Sequence, residues 1–182
     1  MTIIPAFFKD QYSNYVLNKE IPGPSRNKEA VNLSMARTVG IVYMLGTHED
    51  YRSVEKFVRF LQDKDIRVKA MGYVRDKYLT RRYLPKLTYD FFYTRDLNWY
   101  HKPGGTYVKE FLKNRYDIFM DLSSGDIFPL RYLSAKATAK LKVGRYNEKN
   151  KAIFDLLIRS EKQQKMEPYI QEVKHYLSVI NK

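Results

Sequence analysis

Tyr116–Arg145 reads YDIFMDLSSGDIFPLRYLSAKATAKLKVGR. Tyr116 to Leu122 is an apolar run with a carboxylate, Asp121, near its end. Ser123-Ser124-Gly125-Asp126 follows, and Ser, Gly and Asp are turn residues. Asp126 to Ala139 reads as a helix, with Pro129 tolerated only in its first turn. Leu141-Lys142-Val143-Gly144 is a short second strand. The order is strand, helix, strand, the unit of parallel α/β sheets. In such sheets ligands sit at the carboxyl ends of the strands, here beside Asp121 and the turn after it.

The same alternation extends in both directions. Val39 to Leu45 is a short β-branched apolar run, as a strand buried on both faces requires. Tyr51, Val54, Phe57, Val58 and Leu61 then stripe a helix, which Thr47 or Asp50 can cap. Ile66 to Val74 and Thr88 to Thr94 read as strands. Tyr107, Val108, Phe111 and Leu112 stripe another helix. Ala152 to Ile158 is a sixth strand, and Ile170, Val173, Tyr176, Leu177 and Ile180 mark a last helix. The pattern predicts an α/β, three-layer, Rossmann-like domain over residues 26–182. Its sheet is mostly parallel, with five or six strands.

Residues 1–25 read as an appendage. Ile4, Phe7, Phe8, Tyr12, Tyr15 and Val16 recur at helical spacing, and Ile21-Pro22-Gly23-Pro24-Ser25 breaks the helix as a hinge. Its apolar face is expected to pack on the domain or on a second copy, giving a homodimer.

Length and composition bound the rest. A chain of 182 residues buries roughly 70% of its unfolded surface. Cysteine is absent, which excludes disulfides and thiolate metal sites and fits a reducing cytoplasm. No run approaches the roughly 18 apolar residues of a membrane span, and Lys9 and Asp10 interrupt the N-terminal run as no secretory signal would. A cytoplasmic, soluble protein is the expectation. The 33 Lys+Arg against 20 Asp+Glu give a net charge of +13. That charge attracts an acidic partner, whether protein, nucleic acid or lipid headgroup.

Four groups of residues are candidates for chemistry. Asp121, Ser123, Ser124 and Asp126 follow the fourth strand, where hydroxyls and N–H groups at a helix start suit a phosphate and two carboxylates suit Mg²⁺. A capped strand-to-helix turn uses the same residue types. His48 and Asp50, with Glu49, follow the first strand and offer an acid and a base, or simply a helix cap. Asp96, Trp99, His101 and Lys102 precede Pro103-Gly104-Gly105, as a lid, a stacking surface or a plug for the core. Arg75, Lys77, Arg81, Arg82 and Lys86, interleaved with Tyr78 and Tyr83, form the densest basic patch and suit single-stranded nucleic acid. No spacing calls for a metal or a cofactor, and the three histidines are not spaced as ligands.

From Tyr116 onward the chain resembles the N-terminal half of family 9, heptosyltransferase-like, glycosyltransferases. The matching residues are Tyr116 to Leu122, Leu130-Arg131-Tyr132-Leu133-Ser134-Ala135-Lys136 and Val143-Gly144. The resemblance implies a Rossmann-like fold and a phosphorylated or nucleotide ligand beside Asp121 and Ser124. In that family a second domain grips the nucleotide-sugar, so glycosyl transfer would need a partner chain. The turn Gly46-Thr47-His48-Glu49-Asp50 also lacks the family's glycine-rich opening. Taken whole, the chain resembles an uncharacterised family of small Bacteroidetes-type proteins of unknown function. The residues concerned are Ala36-Arg37-Thr38-Val39-Gly40-Ile41 and Phe154-Asp155-Leu156-Leu157-Ile158. The leading expectation is a non-catalytic interaction or accessory module.

Overall fold

Among the described residues six strands form one sheet in the order β3-β2-β1-β4-β5-β6. They are β1 (Thr38–Leu45), β2 (Arg67–Val74), β3 (Tyr89–Tyr93), β4 (Arg115–Asp121), β5 (Thr138–Arg145) and β6 (Leu156–Ile158). Every neighbouring pair is parallel, so the sheet is wholly and not just mostly parallel. This is the Rossmann order, and it reverses direction between β1 and β4. The computed structural model describes residues 6–20, 27–75, 86–160 and 165–180.

Among the described residues there are five α-helices: α1 (Ala6–Glu20), α2 (His48–Gln62), α3 (Thr106–Lys113), α4 (Phe128–Lys136) and α5 (Met166–Val179). Val54, Phe57, Val58 and Leu61 of α2 join Tyr169, Ile170, Val173 and Leu177 of α5 against Ile41, Tyr43 and Ile118 on one face of the sheet. Val108 and Phe111 of α3 and Leu130 and Leu133 of α4 pack on Val42, Met71, Phe92 and Phe119 on the other face. The near-continuous apolar strands are thus covered on both sides, as a parallel sheet needs.

The β1–α2 turn is closed on itself. The Asp50 N–H donates to Thr47 Oγ1 at 3.1 Å, and the Thr47 N–H donates to Asp50 Oδ2 at 2.8 Å. This reciprocal capping box satisfies the helix start with the chain's own groups. The amino edge is locked by Asp117, which accepts from the Arg37 and Thr38 N–H groups at 2.9 and 3.0 Å. Burial raises its pKa, but those donors and Lys140 prevail and hold it below the usual carboxylate range.

The apolar stripe of α1 does not pack on its own domain, the first of the two sites expected for it. The helix lies on α4 with its other side inward: Ser13 and Leu17 are buried, while Phe8, Tyr12 and Tyr15 face solvent. Leu17 packs with Tyr132 and Ala135 of α4 and with Ile153 and Phe154. Polar contacts hold the rest. Ser13 Oγ donates to the Tyr100 carbonyl at 2.6 Å. Tyr132 Oη donates to Glu20 at 2.6 Å, and Lys102 Nζ donates to the same carboxylate at 3.0 Å. Directed hydrogen bonds therefore outweigh the bulk of the aromatic stripe in setting how the helix docks. Ile4 lies outside the described residues, as does the 21–25 hinge.

Candidate functional site

A cleft of about 480 Å³ opens at the carboxyl ends of β4, β5 and β6. Its volume is that of a small-molecule pocket. Asp121 ends β4, and Ser123 to Asp126 form the turn into α4. Arg131 comes from the first turns of α4, Arg145 from the last position of β5, and Ser160 from just beyond β6. Asn147 caps the 148–150 turn at the rim and Asn150 ends it.

Asp121 and Ser123 are built together. Asp121 Oδ1 accepts from the Ser123 N–H at 2.9 Å and from Ser123 Oγ at 2.5 Å. Burial pushes the Asp121 carboxyl up to about 6, and the Ser123 donors and the Arg145 charge limit the rise. Arg145 is buried too. Its Nε–H donates to the Ser123 carbonyl at 2.9 Å, and an Nη donates to Ser160 Oγ at 2.6 Å. Desolvation lowers its pKa. The guanidinium is thereby fixed in orientation at the cleft wall.

Arg131 is 5% exposed. It pairs with Asp126 and hydrogen-bonds Asn14 of α1. Among the described residues its Nε–H has no hydrogen-bond partner. Lys149 Nζ also holds Asp126, at 2.6 Å. Asp126 is therefore shared by two cations, and in the cleft lining the carboxylates Asp121 and Asp126 are matched by Arg131 and Arg145.

Of the residues the sequence singled out, Asp121, Ser123, Ser124 and Asp126 come together here. His48 and Asp50 do not line the cleft; Asp50 serves the α2 capping box. Asp96 accepts from the Tyr93 N–H at 2.8 Å in a local turn. Trp99 does not plug the core: it is half-exposed and stacks on Tyr12 with ring centroids 4.9 Å apart. Arg75 and Lys86 are exposed, and Lys77, Arg81 and Arg82 lie outside the described residues. Sequence reasoning missed Arg131, Arg145, Asn147, Asn150 and Ser160. The carboxyl-edge rule, applied to β5 and β6 as it was to β4, picks out Arg145 and Ser160. Among the described residues no group of three or more His, Cys, Asp and Glu is placed to hold a metal ion. No described helix is long and apolar enough to cross a membrane.

Residues 9–180 match the model of a family of unknown function (DUF6913), and the chain belongs to that family. No curated protein and no solved structure matches the chain.

Proposed function

We propose that this member of the family is a binding module for a small phosphorylated ligand, a nucleotide or a phosphosugar, held in the cleft between β4 and β6. The supporting observation is that two buried arginines, Arg131 and Arg145, line one cleft together with Ser123, Ser124 and Ser160. A buried guanidinium is expensive unless its donors are used. The Arg131 Nε–H is such an unused donor among the described residues, and a phosphate oxygen would satisfy it. Planar guanidinium groups match phosphate oxygens in pairs, and the Ser124 hydroxyl at the α4 turn supplies a further donor. Asp121 fits the same occupant when protonated, since it then donates to an anion rather than repelling it.

The β1–α2 turn does not compete for this role. Glu49 and Asp50 sit in the first turn of α2, and Asp50 already consumes the Thr47 donors. The proposal is one of binding alone; the contact of Ser123 Oγ with Asp121 closes a local turn. The glycosyltransferase-like resemblance of residues 116–145 is in keeping with this choice of cleft, as a half that binds its ligand alone.

Thermal-shift measurements against inorganic phosphate, nucleoside mono- and diphosphates and sugar phosphates, with and without Mg²⁺, test the proposal. One of these classes should raise the melting temperature at millimolar concentration. Ser160→Ala, a change at a half-buried position, should weaken that response, as should Arg145→Lys. No response to any class would overturn the proposal.

A further inference from the structure

We propose that the outer face of α1, together with Trp99, is a stacking platform for single-stranded nucleic acid. Phe8, Tyr12 and Tyr15 are 59%, 43% and 62% exposed, and Trp99 is 50% exposed. They line one open depression with Gln11. The rings are already arranged as a series. Tyr12 lies 4.9 Å from Trp99 at an interplanar angle of 27°, and 6.4 Å from Tyr15. Tyr100 supports both Tyr12 and Trp99 edge-on, at 5.2 and 5.1 Å.

The charge on α1 is partitioned to match. At about 100° per residue, Phe8, Tyr12, Tyr15 and Lys19 fall on one stripe. Asp10 and Glu20 fall on the opposite half, with the buried Ser13 and Leu17. Glu20 is engaged there by Tyr132 and Lys102. The exposed stripe thus carries aromatic rings and a cation, and no carboxylate. The whole chain carries +13.

These features select the occupant. A second copy carries the same +13, and that like charge opposes self-association through this face. A nucleic acid is attracted by the charge, and its bases stack on exposed rings whatever their identity. An exposed aromatic patch of this kind on a monomer is commonly an interaction site. The platform is distinct from the β4–β6 cleft and does not depend on what that cleft binds.

Trp99 is the only tryptophan in the chain, so its fluorescence reports on this site alone. The intact chain is titrated with oligo(U) and oligo(dA) of about 12 nucleotides, which spans one binding site of this type. Expected are quenching of Trp99 by both oligomers and an affinity that falls steeply with salt. Tyr15→Ala should weaken binding roughly 5- to 150-fold, the value of one base–aromatic stack, and Tyr15→Phe should retain it. Tyr15 is exposed, so circular dichroism should be unchanged in both variants. Binding without quenching would overturn the platform, as would no binding at low salt. Equal affinity of Tyr15→Ala and Tyr12→Ala with the native chain would do the same. So would a loss that follows Arg81→Ala/Arg82→Ala alone, or preferential capture of an acidic peptide or of a second copy at the same face.

Discussion

The guanidinium carbon of Arg145 lies 3.7 Å from the centroid of the Tyr169 ring. The end of β5 and the first turn of α5 therefore share one desolvated contact behind the cleft. A cation over an aromatic face in a desolvated position is worth about 2 kcal/mol. The Tyr169 hydroxyl has no hydrogen-bond partner among the described residues. Tyr169→Phe should accordingly leave stability unchanged or raise it by about 1 kcal/mol, by removing an unsatisfied buried group. Tyr169→Leu should lower it by about 2–4 kcal/mol, since ring contact and packing are both lost. Urea denaturation of the two variants checks this. A loss in the Phe variant as large as in the Leu variant would mean that the hydroxyl has a partner.

Gly40 in β1 faces two rings. A Cβ built there would stand 2.9 Å from Phe119 Cδ2 and from Tyr116 Cε2. A glycine within a strand marks such a close approach. Gly40→Ala should lower stability by about 1–3 kcal/mol through overpacking. Gly125→Ala meets nothing within 4 Å and should be close to neutral. The contrast between the two variants in a melting experiment is the test.

Asp121 sets a pH dependence with an unusual sign. Its native carboxyl is pushed up to about 6, whereas an unfolded aspartate titrates near ~3.9. Between those values the native chain holds a proton that the unfolded chain has released. Stability from this group is thus greatest below the window and declines as pH rises through it. Asp121→Asn should flatten that decline between about pH 4 and 6. Denaturation midpoints of both proteins across the window measure it, and parallel curves would remove Asp121 as the cause.

Glu20 anchors α1. The Tyr132 hydroxyl, and then Lys102 and Lys136, hold its carboxyl below the usual range against a smaller upward push from burial. The stabilisation is present above the ordinary glutamate value and is lost as pH falls through the lowered native one. Glu20→Ala should loosen α1 without unfolding the sheet, at about 1–2 kcal/mol for the lost charge-assisted bonds. Hydrogen exchange should rise in α1 and stay unchanged in β1 and β4. Unchanged protection of α1 would show that Leu17 packing alone holds the helix.

The fold was legible because local pattern and global architecture agree. Val39 to Leu45 and Tyr116 to Leu122 are apolar on both faces, which only a sheet covered on both sides accommodates. The spacing of Val54, Phe57, Val58 and Leu61 defines a helix face before any neighbour is known. Thr47 and Asp50 encode their cap within four residues. The carboxyl-edge rule then led to Asp121, Ser123, Ser124 and Asp126, because strand direction fixes which end of β4 faces a crevice.

Two things rested with tertiary structure. Strand order put Arg145 and Ser160 beside Ser123, although 22 and 37 positions separate them along the chain. Neighbours in a sheet are chosen by crossover connections, and no short-range pattern carries that choice. The orientation of α1 is the other. Its composition favours burying Phe8, Tyr12 and Tyr15, yet Ser13, Asn14, Leu17 and Glu20 face the domain. Their partners, Tyr100, Arg131 and Tyr132, lie more than 80 residues away. Apolar burial is non-directional and can be met on many surfaces, whereas a hydrogen bond needs one partner at one place, and only the folded chain supplies it.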